Sequence, residues 1–187
     1  MKEERPQSMP RILILWMAFS ALTGSTAACI QETAESGHAY GIPLRSDAEL
    51  AAELSALCET AMTRATQAGS PSESGGSRPI LVEFSAAWCS DCLRLGEMKK
   101  ASALAKELSM WPNTTINVGH FDHHRDILDD MKIESIAHWA ILRPANCADP
   151  IQRWIRMADR TLEVSSGTAR NLTPADLAGW LRDFRRS

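Results

Sequence analysis

Two cysteines three residues apart, Cys89 and Cys92, stand between an apolar run from Ile80 to Phe84 and a stretch of helical spacing that begins at the pair itself. A cysteine at a helix N-terminus meets unpaired backbone N–H groups and the positive end of the helix dipole. Both favour the thiolate, the attacking form in thiol–disulfide exchange. Cys89 is therefore the candidate nucleophile. Cys92, one helical turn later, can attack a mixed disulfide formed at Cys89 and release the reduced partner. The same spacing is half of a zinc site, but no second Cys-x-x-Cys or His pair at suitable spacing accompanies it. The strand, cysteine pair and helix in that order favour redox chemistry.

The residues between and around the pair tune that chemistry. Ser90 and Asp91 separate the cysteines. The charge of Asp91 disfavours a thiolate at Cys89 and so favours the disulfide, which predicts a reductant rather than a strong oxidant. His120, Asp122, His123 and His124 suggest a metal cluster. On a strand end followed by a helix start, however, they point in several directions, and a solvated loop is the plainer reading. No metal and no cofactor are expected. Trp111 and Trp139 are candidates for partial exposure in an apolar rim that would suit an extended protein segment, with core packing the commoner use of tryptophan.

The elements that must position these groups follow from patterning. A helix is predicted over Ser46 to Ala68, with Ser46 and Glu49 at capping-box spacing and Leu50, Leu54, Leu57, Ala61 and Met62 on one face. Gly69 to Arg78 is a Gly/Ser/Pro linker. From Pro79 strands and helices alternate, the signature of an α/β domain around a mixed sheet. Strands are expected at Ile80 to Phe84, Thr115 to Phe121, Ile136 to Leu142 and Thr161 to Val164. Helices are expected over Cys89 to Leu108, over Asp122 to Met131 with Asp122 as cap, and after Thr173-Pro174 to the end of the chain. The stretch from Ile151 to Ala158 fits a short helix after Asp149-Pro150, with an alternating strand as the other option.

The chain has 187 residues, 44% hydrophobic and 23% charged, which suits one globular domain with appendages. Its net charge of −3 gathers into no basic run, so nucleic acid is not an expected partner. Residues 1–28 carry Lys2, Arg5 and Arg11, an apolar stretch from Ile12 to Leu22, and then small residues to Ala28, the layout of an export signal. Cys29 follows at once, as in the lipobox of bacterial lipoproteins, although Thr26 replaces the usual larger aliphatic residue. Lipidation of Cys29, soluble secretion and an uncleaved anchor all remain open, with the lipid anchor preferred. Residues 29–45 form a polar tether. In an oxidising compartment Cys58 and Cys147 are left as an even remainder, either a structural disulfide or two semi-buried thiols.

The segment Ile80-Leu81-Val82-Glu83-Phe84-Ser85-Ala86-Ala87-Trp88-Cys89-Ser90-Asp91-Cys92 resembles the strand and active-site turn of the thioredoxin superfamily, and the likeness runs more loosely from Pro79 to about Phe184. The resemblance implies a thioredoxin-like three-layer fold with a central mixed sheet, over residues 79–187, preceded here by an extra N-terminal helix within 46–78. It implies Cys89 as the exposed attacking thiol, Cys92 as the buried resolving thiol and Trp88 packed beside them. Glu83 matches the family's buried acid, whose role is to exchange a proton with Cys92; the alternative is a surface-facing strand glutamate. Ser90-Asp91 departs from the Gly-Pro of thioredoxin itself. Ala137 stands where the family has a cis-proline. A cis bond before a non-proline residue costs about 2.5–4 kcal/mol, so a trans bond is expected. His138 then either approaches Cys89 and supports its thiolate or packs within its strand. The family's helix-kinking proline is replaced by Glu97.

The resulting expectation is an exported, membrane-tethered thiol–disulfide oxidoreductase that reduces or isomerises disulfides of envelope proteins and draws electrons from an upstream donor. Two rivals remain: a copper metallochaperone using Cys89, Cys92 and a histidine, and a non-catalytic binding module on the same fold.

Overall fold

The computed structural model describes residues 41–67, 77–162 and 172–185. The expected export signal, Cys29, the tether as far as residue 40, residues 69–76 of the linker and Val164 lie outside the described residues. Among the described residues no helix is long and apolar enough to cross a membrane.

The apolar run becomes β1 (Ile80–Ser85), buried at every position. A strand covered on both faces needs neighbours on both edges and layers above and below, and β1 has them. It pairs in parallel with β2 (Asn113–Asn117) and antiparallel with β3 (His138–Arg143), which pairs antiparallel with β4 (Ile155–Thr161). The strand order is β2-β1-β3-β4. Parallel neighbours require a crossover, supplied by α2 (Ser90–Lys99) and α3 (Ser102–Leu108). With α1 (Asp47–Gln67) before the sheet, α4 (Arg125–Met131) between β2 and β3, and α5 (Pro174–Arg185) at the end, this is the thioredoxin-like arrangement expected, a mixed sheet with helices packed on it.

Alternation along β1 assigns its two faces. Val82 pairs with Thr114, whose hydroxyl meets Glu53 of α1, so Val82 and Phe84 face α1. Glu83 bonds Lys99 of α2, so Leu81, Glu83 and Ser85 face the crossover. α5 shares that side: Trp180 stacks on Trp139, and Arg185 bonds Glu107 of α3 at 2.7 Å. Burial of the Glu107 carboxyl opposes its charge, but hydrogen bonds from Arg185 and Trp111, with the charges of Arg185 and Arg182, hold it below the usual carboxylate range.

The predicted capping box of α1 forms, and α5 starts with a pair of the same kind. Ser46 N donates to Glu49 Oε2 at 2.8 Å and Glu49 N donates to Ser46 Oγ at 3.3 Å. Thr173 N donates to Asp176 Oδ2 at 2.9 Å and Asp176 N to Thr173 Oγ1 at 3.2 Å. Leu50, Leu54, Cys58 and Ala61 make the buried stripe of α1. The end of the expected tether is attached to the domain: the carbonyl of Ile42 accepts from Asn117 Nδ2, and Arg45 bonds Glu53 and the carbonyl of Thr115.

Several expected elements are corrected. The single helix over 89–108 is two, because Ala101 is extended (ψ 133°) and α3 turns to pack on α5. The second strand ends at Asn117 rather than Phe121; Gly119 and Phe121 take positive φ and turn the chain. The next helix begins at Arg125, with left-handed His124 before it, while the Asp122 side chain accepts from the backbone of His120 instead of capping the helix. The expected helix at Ile151 to Ala158 is a three-residue 3-10 turn (Ile151–Arg153) and then β4, since pairing to β3 outweighs the local helical spacing. Trp111 and Trp139 are buried, not rim residues.

Candidate active site

The turn after β1 delivers Cys89 to the N-cap of α2, in extended backbone conformation (φ −79°, ψ 113°). Its sulfur accepts the Cys92 backbone N–H at 3.1 Å, so one of the unsatisfied donors of the helix start points at the candidate nucleophile. Cys89 and Cys92 are joined as a disulfide with Cα atoms 5.2 Å apart. Cys89 is 5% exposed and Cys92 not at all. Access therefore comes through Cys89, which is far more covered than the exposed thiol the resemblance implies. Ser90 opens α2 and Asp91 is the acidic residue of its first turn.

Trp88 stands beside the pair and is 50% exposed. Its indole is held from below: Nε1 donates to the carbonyl of Gly119 at 2.6 Å, and His120 stacks on it at 5.5 Å with rings nearly parallel. Glycine suits position 119: its φ is +57°, and a Cβ there would press on the side chains of Asp122 and His123 as they stand. Sequence reasoning set His120 among metal candidates; the structure makes it the support of the aromatic next to the redox pair.

On the face of β1 that α2 covers, Glu83 is 4% exposed. Its Oε2 accepts from Lys99 Nζ at 2.7 Å and from Trp139 Nε1 at 2.9 Å. The surface-facing alternative is thus excluded. Neither partner was expected, yet both carried a signal: Lys99 lies seven residues beyond Cys92, two helical turns and the same face, and Trp139 is the cross-strand partner of Glu83. Ser85, two residues after Glu83, is fully buried, and its Oγ has no hydrogen-bond partner among the described residues.

The peptide bond between Ile136 and Ala137 is cis, correcting the expectation of trans. The expectation weighed the local cost alone, whereas Ala137 is fully buried and its carbonyl accepts from Leu162 N at 2.7 Å, next to the start of β3. His138 follows, and alternation places it on the face of Phe84, away from Glu83. Its Nδ1 meets Thr161 Oγ1 at 3.1 Å; Asp159 Oδ2 is 3.5 Å from Nε2, within ion-pair range but without hydrogen-bond geometry. Burial lowers the imidazole below its ordinary pKa, opposed by Asp159 and reinforced by Arg156. Among the described contacts none brings His138 to Cys89; the packed alternative describes it.

The remaining candidates separate from this site. Cys58 and Cys147 form a disulfide tying α1 to the loop after β3. His124 is buried against Asp47, Nδ1 to Oδ1 2.6 Å, while His120 stacks on Trp88. Among the described residues no group of three or more His, Cys, Asp or Glu side chains is placed to hold a metal ion.

No family model matches the chain, and no curated protein matches it. Solved structures do align. A disulphide isomerase from Xylella fastidiosa Temecula1 is 15% identical, with 67% of this chain and 86% of that chain covered and a TM-score of 0.44. The reduced C-terminal domain of DsbD from Neisseria meningitidis is 14% identical, with 68% and 93% covered and a TM-score of 0.45. Thioredoxin from Trichomonas vaginalis is 23% identical, with 60% and 86% covered and a TM-score of 0.31.

Proposed function

We propose that the protein is a thiol–disulfide oxidoreductase, acting as a reductase or isomerase of disulfides in proteins of the bacterial envelope. The observation that carries this reading is Cys89 at the N-cap of α2, its sulfur accepting the Cys92 N–H, with Cys92 closed beneath it. In the reduced protein the Cys89 thiolate attacks one sulfur of a substrate disulfide. That bond breaks, and the leaving sulfur takes a proton. Cys92, its proton relayed to Glu83 through a water, then attacks the Cys89 sulfur; the internal disulfide forms and the second substrate sulfur leaves as a thiol. Two electrons pass from the dithiol to the substrate, and an upstream donor must return them. Asp91 favours the disulfide form and so sets the direction towards reduction.

The envelope assignment is supported by the export-signal layout of residues 1–28, by the lipobox-like Cys29 as membrane anchor, and by a second disulfide, Cys58–Cys147, that suits an oxidising compartment. The copper-carrier reading finds less support, because the contacts of His138 are with Thr161 and Asp159 on the other face of the sheet.

Trapping tests the proposal. With Cys92→Ser, a disulfide-containing protein such as insulin should accumulate as a mixed disulfide on Cys89, and with Cys89→Ser it should not. Absence of adduct from both variants while the fold is intact contradicts the reading and favours a non-catalytic module.

A further inference from the structure

We propose that Ser85 belongs to the redox site, its hydroxyl donating a hydrogen bond to the Cys92 sulfur when the pair is reduced. The inference rests on the oxidoreductase reading and deepens it.

Three observations converge. First, Ser85 Oγ is fully buried and, among the described residues, unpartnered, although its own backbone is pinned by Val118 N donating to its carbonyl at 3.0 Å. A buried hydroxyl left unpaired has lost its hydrogen bond to water without a replacement, so native structures rarely retain one without a use. Second, Ser85 shares the sheet face of Glu83, which α2 covers through Lys99. Third, the levels match. α2 belongs to the crossover between parallel strands and therefore runs back along β1. Cys92 lies about 10 Å before Lys99 along the helix. Ser85 lies about 7 Å beyond Glu83 along the strand. The long lysine stem reaching Glu83 takes up the remainder, and Ser85 comes level with the buried sulfur of Cys92.

The oxidised and reduced pairs ask different things of such a group. A disulfide sulfur is a weak acceptor and carries no charge. Reduction adds two electrons and two protons across the Cys89–Cys92 bond, supplied by a dithiol that is itself oxidised to its disulfide. Cys92 then holds a buried thiol that must pass through a thiolate in each turnover. The Cys92 N–H serves Cys89, so Cys92 needs a donor of its own. Hydrogen bonds to an ionised acceptor are about twice as strong as neutral ones. The hydroxyl that is idle in the oxidised protein is the donor the reduced protein lacks.

The test is Ser85→Ala beside Ser85→Thr, which keeps the hydroxyl, in the full protein. The equilibrium with dithiothreitol should shift about tenfold towards the disulfide in Ser85→Ala, about 30 mV more reducing for a two-electron couple. Ser85→Thr should stay near the unsubstituted protein. In a Cys89→Ser background, Ser85→Ala should also move the Cys92 thiol titration to higher pH. Ser85→Ala within twofold of the unsubstituted protein, with an unmoved Cys92 titration, overturns the inference while leaving the oxidoreductase reading in place. An unsubstituted pair that fails to titrate as a two-electron couple overturns both.

Discussion

Lys99 Nζ sits 2.7 Å from Glu83 Oε2, bringing a cation of the helix that carries Cys92 to the one carboxylate buried in the central strand. Glu83→Gln keeps an acceptor for Trp139 and removes the proton carrier. Attack by Cys89 should stay near the wild-type rate, while release of product from the mixed disulfide slows about 10²-fold, the low end for a lost general base. Stopped-flow measurement of the two phases checks this; an unchanged second phase contradicts it. Lys99→Met should instead cost about 1–3 kcal/mol in stability by leaving the carboxylate with Trp139 alone.

The Cys58–Cys147 disulfide closes a span of 89 residues and starts from α1, which packs on the sheet face opposite α2. Replacing both cysteines by alanine should lower stability by about 2–4 kcal/mol in denaturant titration. The Cys89–Cys92 potential should be unchanged.

His138 gives a pH dependence whose sign follows from its surroundings. Burial, with Arg156 nearby, lowers its pKa despite Asp159, so the folded state holds the neutral ring. The unfolded chain then binds more protons at mildly acidic pH, and this contribution to stability is present above the ordinary imidazole pKa and lost as pH falls through the lowered one. His138→Gln should flatten the fall in stability between neutral pH and about pH 5. A variant with the same slope as wild type contradicts the assignment.

Trp88 supplies contact area beside Cys89 on a base of His120 and Gly119. Trp88→Ala should raise KM for a protein disulfide about tenfold, as for a lost aromatic anchor, and leave reaction with a small disulfide almost unchanged. Equal effects on both substrates would assign Trp88 to the chemistry rather than to docking.

The sequence made the cysteine pair, Glu83, the central strand and the capping box of α1 legible because each rests on local spacing: three residues for Cys-x-x-Cys, an apolar run, a cap followed by an acid. What it hid was tertiary. Lys99 is an ordinary surface-type residue until α2 lies along β1, and the break at Ala101 arises from α3 packing on α5. β4 carried helical spacing that its pairing to β3 overruled. The cis bond before Ala137 also ran against local cost. His138 was placed by its neighbour in sequence, whereas strand alternation sends its ring to the other face.

The most direct test of the central claim is a redox titration of Cys89 and Cys92, following thiol labelling against a dithiothreitol or glutathione series. A single two-electron transition more reducing than about −200 mV is the predicted result, since the strongly oxidising enzymes lie well above it. A pair that resists disulfide formation, or that titrates only after metal is stripped from it, contradicts the claim.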